Sequence, residues 1–340
     1  MRVQYHLASK NLSSVAAEAS WAESMGYDGV SASETSHDPF LPLALAATAT
    51  SHVSLETRVA IAFPRSPMVV AHTARDLQDL SRGRFHLGLG TQVKGHIERR
   101  FSTKWESPGP KLREYVESLR QIWDCWNGDG SLDYQGKFYQ FSLMSPFFNP
   151  GPSAFPDPAI YNGAVNAYNS RVAGEVTDGL MLHSLTSDKY VREVIKPNVI
   201  KGAERVGRDP SQAKISGGGF IITGPNRSSI RDMEAEVRRR ISFYASTRTY
   251  FPALECHGFT EIGQRLHEMS LNGRWAEMAE LVSDEMLDAF CVRGEYDEIA
   301  DKFLERYGGL LDEVSFSPHT VEPIEEPQLK KIIRRFQEVG

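Results

Sequence analysis

Cysteine is scarce: the 340 residues hold three (Cys125, Cys256, Cys291), far apart and in neither CxxC nor CxH spacing. That excludes a disulfide framework and thiolate metal chemistry, and leaves idle or buried thiols in a reducing compartment as the expectation. Long apolar runs are missing as well. None reaches the roughly 18 residues of a spanning helix, and MRVQYHLASK enters a strand at once without the layout of a signal peptide. A cytoplasmic protein with no membrane partner is expected. Nor does one charge dominate, since a net charge of −6 gives no basic footprint for nucleic acid. No linker, charge block or low-complexity tract divides the chain, so one domain over 1–340 is expected. Rossmann topology is disfavoured because Leu7 is followed by Ala8-Ser9-Lys10-Asn11, not by GxGxxG.

What is present is alternation. Hydrophobic residues make up 41%, enough for a large core, and apolar runs alternate with helical spacing. Strands are expected at Val3–Leu7, Asp28–Ala32, Glu56–Phe63, Phe85–Gly90, Ala159–Gly163, Gly179–His183, Lys214–Ile222 and Glu313–Phe316. Between the first two, a helix capped by Asn11 or Ser13 buries Leu12, Val15, Ala16, Ala19, Ala22 and Met25 and ends at Gly26. Met68–Leu80 carries Val69, Val70, Thr73, Leu77 and Leu80 at helical spacing, stopped at Gly83. Eight strands alternating with helices give the α/β class and a (β/α)8 barrel. Two stretches exceed what a connection needs. One is 127–158, dense in Gly, Pro and aromatics, with a hairpin near Leu132–Phe141. The other is 228–290, a helical excursion before the last strand.

A barrel of this kind puts its site at the C-terminal ends of the strands. The rule selects His6, Glu34, His37, Arg65, Thr91, Gln92, Lys94, Asn162, Asn166 and His183. Glu34 and His37 stand three residues apart beyond the second strand, types suited to proton transfer. Gly90 lets the backbone of Gly90-Thr91-Gln92 approach a ring or phosphate. From Arg82 to Lys104 there are six Lys/Arg against one acid, Glu98, a local patch for an anionic ligand.

The pair AIAFPRSP and SRGRFHLGLGTQ resembles the third and fourth β/α units of the luciferase-like flavin and deazaflavin oxidoreductases. GLGTQVKGHIERRF, SETSHDPFLP, RVAGEVTDGL and RYGGLLDEVSF are similar to the subgroup assigned to the 8-hydroxy-5-deazaflavin coenzyme F420, and the likeness covers essentially the whole chain. It implies hydride transfer at the deazaflavin C5 with a small-molecule substrate, catalytic roles for Glu34, His37 and His6, and, by analogy, a homodimer. The alternatives are a reduced-FMN monooxygenase and a silent coenzyme-binding paralogue. It also implies a cofactor site made from Ala60, Ile61, Ala62, Gly90, Thr91, Gln92, Lys94, Asn162, Asn166, Ala167 and Ser170. Relatives carry a non-prolyl cis peptide behind the ring. Counting back from Pro64 puts it at Ala60–Ile61, or failing that Ile61–Ala62. Two departures stand out. Asn166-Ala167 replaces a common Gly-Pro where helix amides hold the coenzyme phosphate, with Asn166 and Ser170 able to donate instead. Ser31 stands where tryptophan is frequent, which implies a roomier pocket.

Overall fold

Eight parallel strands close on themselves in the computed structural model, which describes residues 1–8, 11–128, 130–318, 320 and 322–338. They are β1 (Arg2–His6), β2 (Gly29–Ala32), β3 (Ser54–Thr57, resuming at Ala60–Ile61), β4 (Phe85–Gly90), β5 (Ala159–Ala164), β6 (Gly179–Leu182), β7 (Lys214–Gly217) and β8 (Glu313–Ser315). Each pairs in parallel with the next, and β1 pairs with β8, so among the described residues the barrel has no open edge. Around them lie α1 (Leu12–Met25), α2 (Phe40–Ala49), α3 (Pro67–Leu80), α4 (Pro108–Asn127), α5 (Ala167–Val176), α6 (Lys196–Arg205), α7 (Ile299–Tyr307) and α8 (Glu326–Glu338). The architecture is a (β/α)8 barrel, as the alternation predicts. Among the described residues no helix is long and apolar enough to cross a membrane.

Local chemistry explains the boundaries. Asn11 caps α1 by accepting from Ser13 N–H, and Gly26 closes it at φ 94°. Ser66 caps α3 with Pro67 in its first turn. Two helix faces differ from expectation. Leu12, Val69 and Leu80 are exposed, because the burying stripes are Val15/Ala19/Ala22/Met25 and Val70/Ala74/Leu77. The expected seventh strand, Lys214–Ile222, is two strands. Gly217, Gly218 and Gly219 all have positive φ and turn the chain out of the barrel. Phe220–Gly224 then pairs in parallel with Cys291–Glu295, and this ribbon anchors the helical excursion, led by helix Arg227–Ala245. In the other long stretch the hairpin pairs Tyr134–Gln135 with Gln140–Phe141, so its turn falls at 136–139.

The barrel interior is polar. Gln4 Nε2 bridges Glu56 Oε1 at 2.9 Å and Glu313 Oε2 at 2.8 Å, with all three side chains buried. Burial works against the charge on Glu56, but the His86 hydrogen bond and the charges of His86, Arg58 and Arg2 outweigh it and hold its carboxyl low. Burial and the neighbouring Glu56 push the Glu313 carboxyl up. One carboxylate charge is thereby favoured here over two.

Candidate functional site at the barrel mouth

β3 breaks at Arg58–Val59, where the peptide bond is cis, two residues before the expected Ala60–Ile61. The ladder explains the position. Ala60 pairs with Leu89 and Ile61 with Gly90 in regular register, so the bond between them is ordinary strand. Side chains normally alternate across a strand, yet Arg58 and Val59 both turn inward. Arg58 reaches Glu56 Oε2 (3.1 Å) and Ser216 Oγ (2.6 Å). Val59 lies over two glycines: a Cβ on Gly90 would stand 2.5 Å from Val59 Cγ2, and one on Gly163 3.4 Å from Val59 Cγ1. Val59, half-buried, is the residue that faces the mouth, while Ala60, Ile61 and Ala62 are buried. Val59 thus takes up the space that a side chain on Gly90 would need.

Two histidines stand at strand ends on the same face of the barrel. His6, at the end of β1, meets Ser31 Oγ through Nδ1 (3.2 Å) and Ser33 Oγ through Nε2 (3.0 Å). Burial first, then the Arg58 and Arg240 charges, push its pKa down to about 4. His183, beyond β6, accepts from Leu185 N–H at Nδ1 (3.0 Å) and packs against Tyr244 and Tyr250. Burial and Arg240 likewise bring it to about 4. Both rings are neutral at pH 7. Arg240 belongs to the excursion helix and lies over Phe220, 5.4 Å from the ring centre.

The remaining expected site residues divide. Glu34 is buried, with Oε2 accepting from Ile61 N–H and Arg65 Nη1, each at 2.7 Å. Arg65 also reaches Ile61 O and Asp38. Glu34 thus clamps the end of β3, whereas His37 is exposed on the following loop. Gln92 has φ 58°, and its Oε1 takes Val93 N–H. Half-buried Thr91 donates to Gln92 O, and exposed Lys94 pairs with Glu98. Asn162 is fully buried and donates to Asn169 O. Asn166 caps α5 by accepting from Asn169 N–H. Ser170 is buried and spends its hydroxyl proton on Asn166 O, so it cannot donate to a phosphate as expected. Ala167 opens the helix. The six-cation patch is divided too: Arg84 grips the carbonyls of Ala47, Thr50 and Val53 before β4 begins, at the opposite end of the barrel.

Arg58, Val59, Ser33, Ser216, Phe220, Arg240, Tyr244 and Tyr250 were not selected by the strand-end rule. Glycines two apart, Gly88 and Gly90, were the available signal that something fills that side of β4.

A closed (β/α)8 barrel whose C-terminal face carries polar side chains around an inward valine defines the broad class. The chain belongs to the luciferase-like monooxygenase family, whose model matches residues 1–313. It is 42% identical over 292 residues to an uncharacterised protein of Mycobacterium tuberculosis, covering 86% of each chain. It is 25% identical to the 5,10-methylenetetrahydromethanopterin reductase of Archaeoglobus fulgidus, covering 87% of each. Among solved structures it is similar to the coenzyme F420-dependent tetrahydromethanopterin reductase of Methanopyrus kandleri, at TM-score 0.79 and 19% identity, covering 100% of this chain and 99% of that one. The oxygenating constituent of 3,6-diketocamphane monooxygenase of Pseudomonas putida, in complex with FMN, gives TM-score 0.63 and 16% identity, covering 100% and 97%. These relationships support an oxidoreductase.

Proposed function

We propose that the protein is a coenzyme F420-dependent oxidoreductase that moves a hydride between the deazaflavin C5 and a small organic substrate. The observation that carries this reading is Val59 laid over Gly90 and Gly163, an apolar surface on which a flat ring would rest. A second feature fits the coenzyme's phosphate. With Asn166 capping Asn169 N–H, the amides of Ala167 and Tyr168 have no intrahelical acceptor and stand free for an anion at the helix N-terminus. The 25% identical reductase supports the choice of reaction. When bound, the deazaflavin supplies a two-electron hydride acceptor or donor. The chain's part is to seat the ring on Val59, hold the phosphate at α5, and handle a proton at the neutral imidazoles of His6 and His183. Glu34 and Arg65 act at a distance by fixing the end of β3.

The family's monooxygenases and the FMN-bound neighbour favour a second reading, a reduced-FMN monooxygenase. One experiment separates the two: titration with F420 and with FMN, followed by oxygen uptake of each reduced complex. The deazaflavin should bind at least about tenfold tighter, a difference of about 1.4 kcal/mol, with no oxygen uptake. Equal affinity for FMN with oxygen consumed into product would replace the first reading by the second.

A further inference from the structure

The two imidazoles of the mouth are held in opposite tautomers. Leu185 N–H donates to His183 Nδ1, so the single proton of that neutral ring is on Nε2. At His6 the order is reversed. Ser31 has one hydroxyl proton, given to the Tyr5 carbonyl at 3.2 Å, which leaves an Oγ lone pair to accept from His6 Nδ1–H. His6 Nε2 then holds its lone pair towards the Ser33 hydroxyl at 3.0 Å. The other tautomer would turn Ser31 away from Tyr5 O and lose a hydrogen bond in a fully buried place. Ser33 is the partly exposed end of this chain of contacts and Ser31 the buried end.

We propose that Ser33, His6 and Ser31 form a proton relay for the oxygen of a small alcohol or its carbonyl partner. Ser33 Oγ meets the substrate oxygen, His6 Nε2 takes the proton, and Ser31 is the positioning residue that fixes the ring. The inference rests on the hydride-transfer reading given above. In the oxidising direction the substrate C–H bond breaks and its electron pair leaves as hydride to the oxidised deazaflavin. The substrate O–H bond breaks, its proton passes to Ser33 Oγ as the Ser33 proton passes to His6 Nε2, and C=O forms. The alcohol loses two electrons, the coenzyme gains them, and the imidazolium releases one proton to solvent. Reduction of a carbonyl runs the same steps backwards. A hydroxyl that donates and accepts in turn suits an oxygen that changes between O–H and C=O. Burial first, then the charges of Arg58 and Arg240, disfavour a resting imidazolium, so the base is vacant at neutral pH.

Nuclear magnetic resonance of protein labelled with heavy nitrogen in histidine tests the relay without coenzyme. His6 should show the Nδ1–H tautomer and His183 the Nε2–H tautomer, with Ser31→Ala turning His6 into a mixture. The same tautomer at both rings overturns the proposal. The second arm uses F420-loaded enzyme with propan-2-ol, cyclohexanol and benzyl alcohol as probes. Ser33→Ala should lose about 100- to 1,000-fold in kcat with an altered solvent deuterium isotope effect, while coenzyme affinity and KM stay within about twofold. Ser33→Thr should keep most of the rate. An unchanged rate in Ser33→Ala overturns the relay, and no hydride transfer from any probe in coenzyme-loaded wild type overturns the alcohol assignment. Failure to bind F420 at all overturns the underlying reading, a result distinct from the tautomer spectrum.

Discussion

Val59 occupies the space that a side chain on Gly90 would need. The two residues lie on neighbouring strands, and the contact is tighter than any real Cβ tolerates: 2.5 Å from the built Cβ to Val59 Cγ2. Val59 is β-branched and stiff at χ1, and the next residue, Ala60, is held in register against Leu89, which leaves Val59 little room to swing aside. The glycine and the inward valine are therefore one feature of the mouth, and Gly163 on β5 completes it at an ordinary 3.4 Å.

That difference in spacing predicts different mutants. Gly90→Ala should destabilise by about 1–3 kcal/mol through overpacking and weaken coenzyme binding. Gly163→Ala should leave thermal stability within about 0.5 kcal/mol. Adding Val59→Ala to Gly90→Ala should restore the melting temperature but not the affinity. Melting curves and coenzyme titration of the three variants decide it. Equal effects of the two glycine substitutions would remove the valine floor from the explanation.

Glu34 should behave as a clamp. Glu34→Gln keeps an acceptor for Ile61 N–H but loses the charge that holds Arg65, and Glu34 is buried with its partner partly exposed. A loss of about 1–2 kcal/mol is expected, less than for a fully buried pair, with hydride transfer lowered less than about tenfold. His37→Ala, at an exposed position, should change neither stability nor coenzyme affinity. A loss of three orders of magnitude in rate by a well-folded Glu34→Gln would make Glu34 a catalytic group instead.

The barrel was legible because period-two and helical spacing alternate so regularly, and Phe85–Gly90 falls on its observed limits. The seventh strand was overextended because three glycines in a row read as part of an apolar run, whereas their positive φ ends it. At the site, strand-end position found His6 and His183 but could not show which way a side chain points. Asn162 turns to α5, Ser170 donates to its own helix and Glu34 faces Arg65. Arg58 and Val59 sit inside a run that looks like ordinary strand. Only the register of Ala60 against Leu89 shows that the irregularity precedes it.

The neutral histidines fix the sign of an acid-side stability loss. His6 and His183 drop from 6.5 to about 4 on folding. Between these values the unfolded chain binds more protons, so stability rises with pH there and is lost as pH falls from 6.5 towards 4. The charged groups acting on His6 are Arg58 and Arg240, and on His183 Arg240, with Tyr244 and Tyr250 packed against its ring. Urea midpoints at pH 7 and pH 5 should differ clearly, and His6→Gln should shrink the difference. An unaltered difference in that variant would mean that His6 does not carry it.

The helix N-terminus at Asn166 offers a substitution that separates folding from anion binding. Asn166 accepts from Asn169 N–H at 2.9 Å, the ordinary work of an N-cap. Asp has the same shape, caps as well, and its charge is favoured at a helix N-terminus. Asn166→Asp should therefore keep or slightly raise the melting temperature. If a coenzyme phosphate rests on the amides of Ala167 and Tyr168, the new carboxylate faces it as a like charge. The Kd for F420 should then rise at least about tenfold, or about 1.4 kcal/mol, and added salt should narrow the gap by screening. Asn166→Ala does the opposite, losing about 1 kcal/mol of stability with the cap and adding no repulsion. A variant carrying Asn166→Asp that melts normally and binds the coenzyme as tightly as the wild type would place the phosphate away from α5.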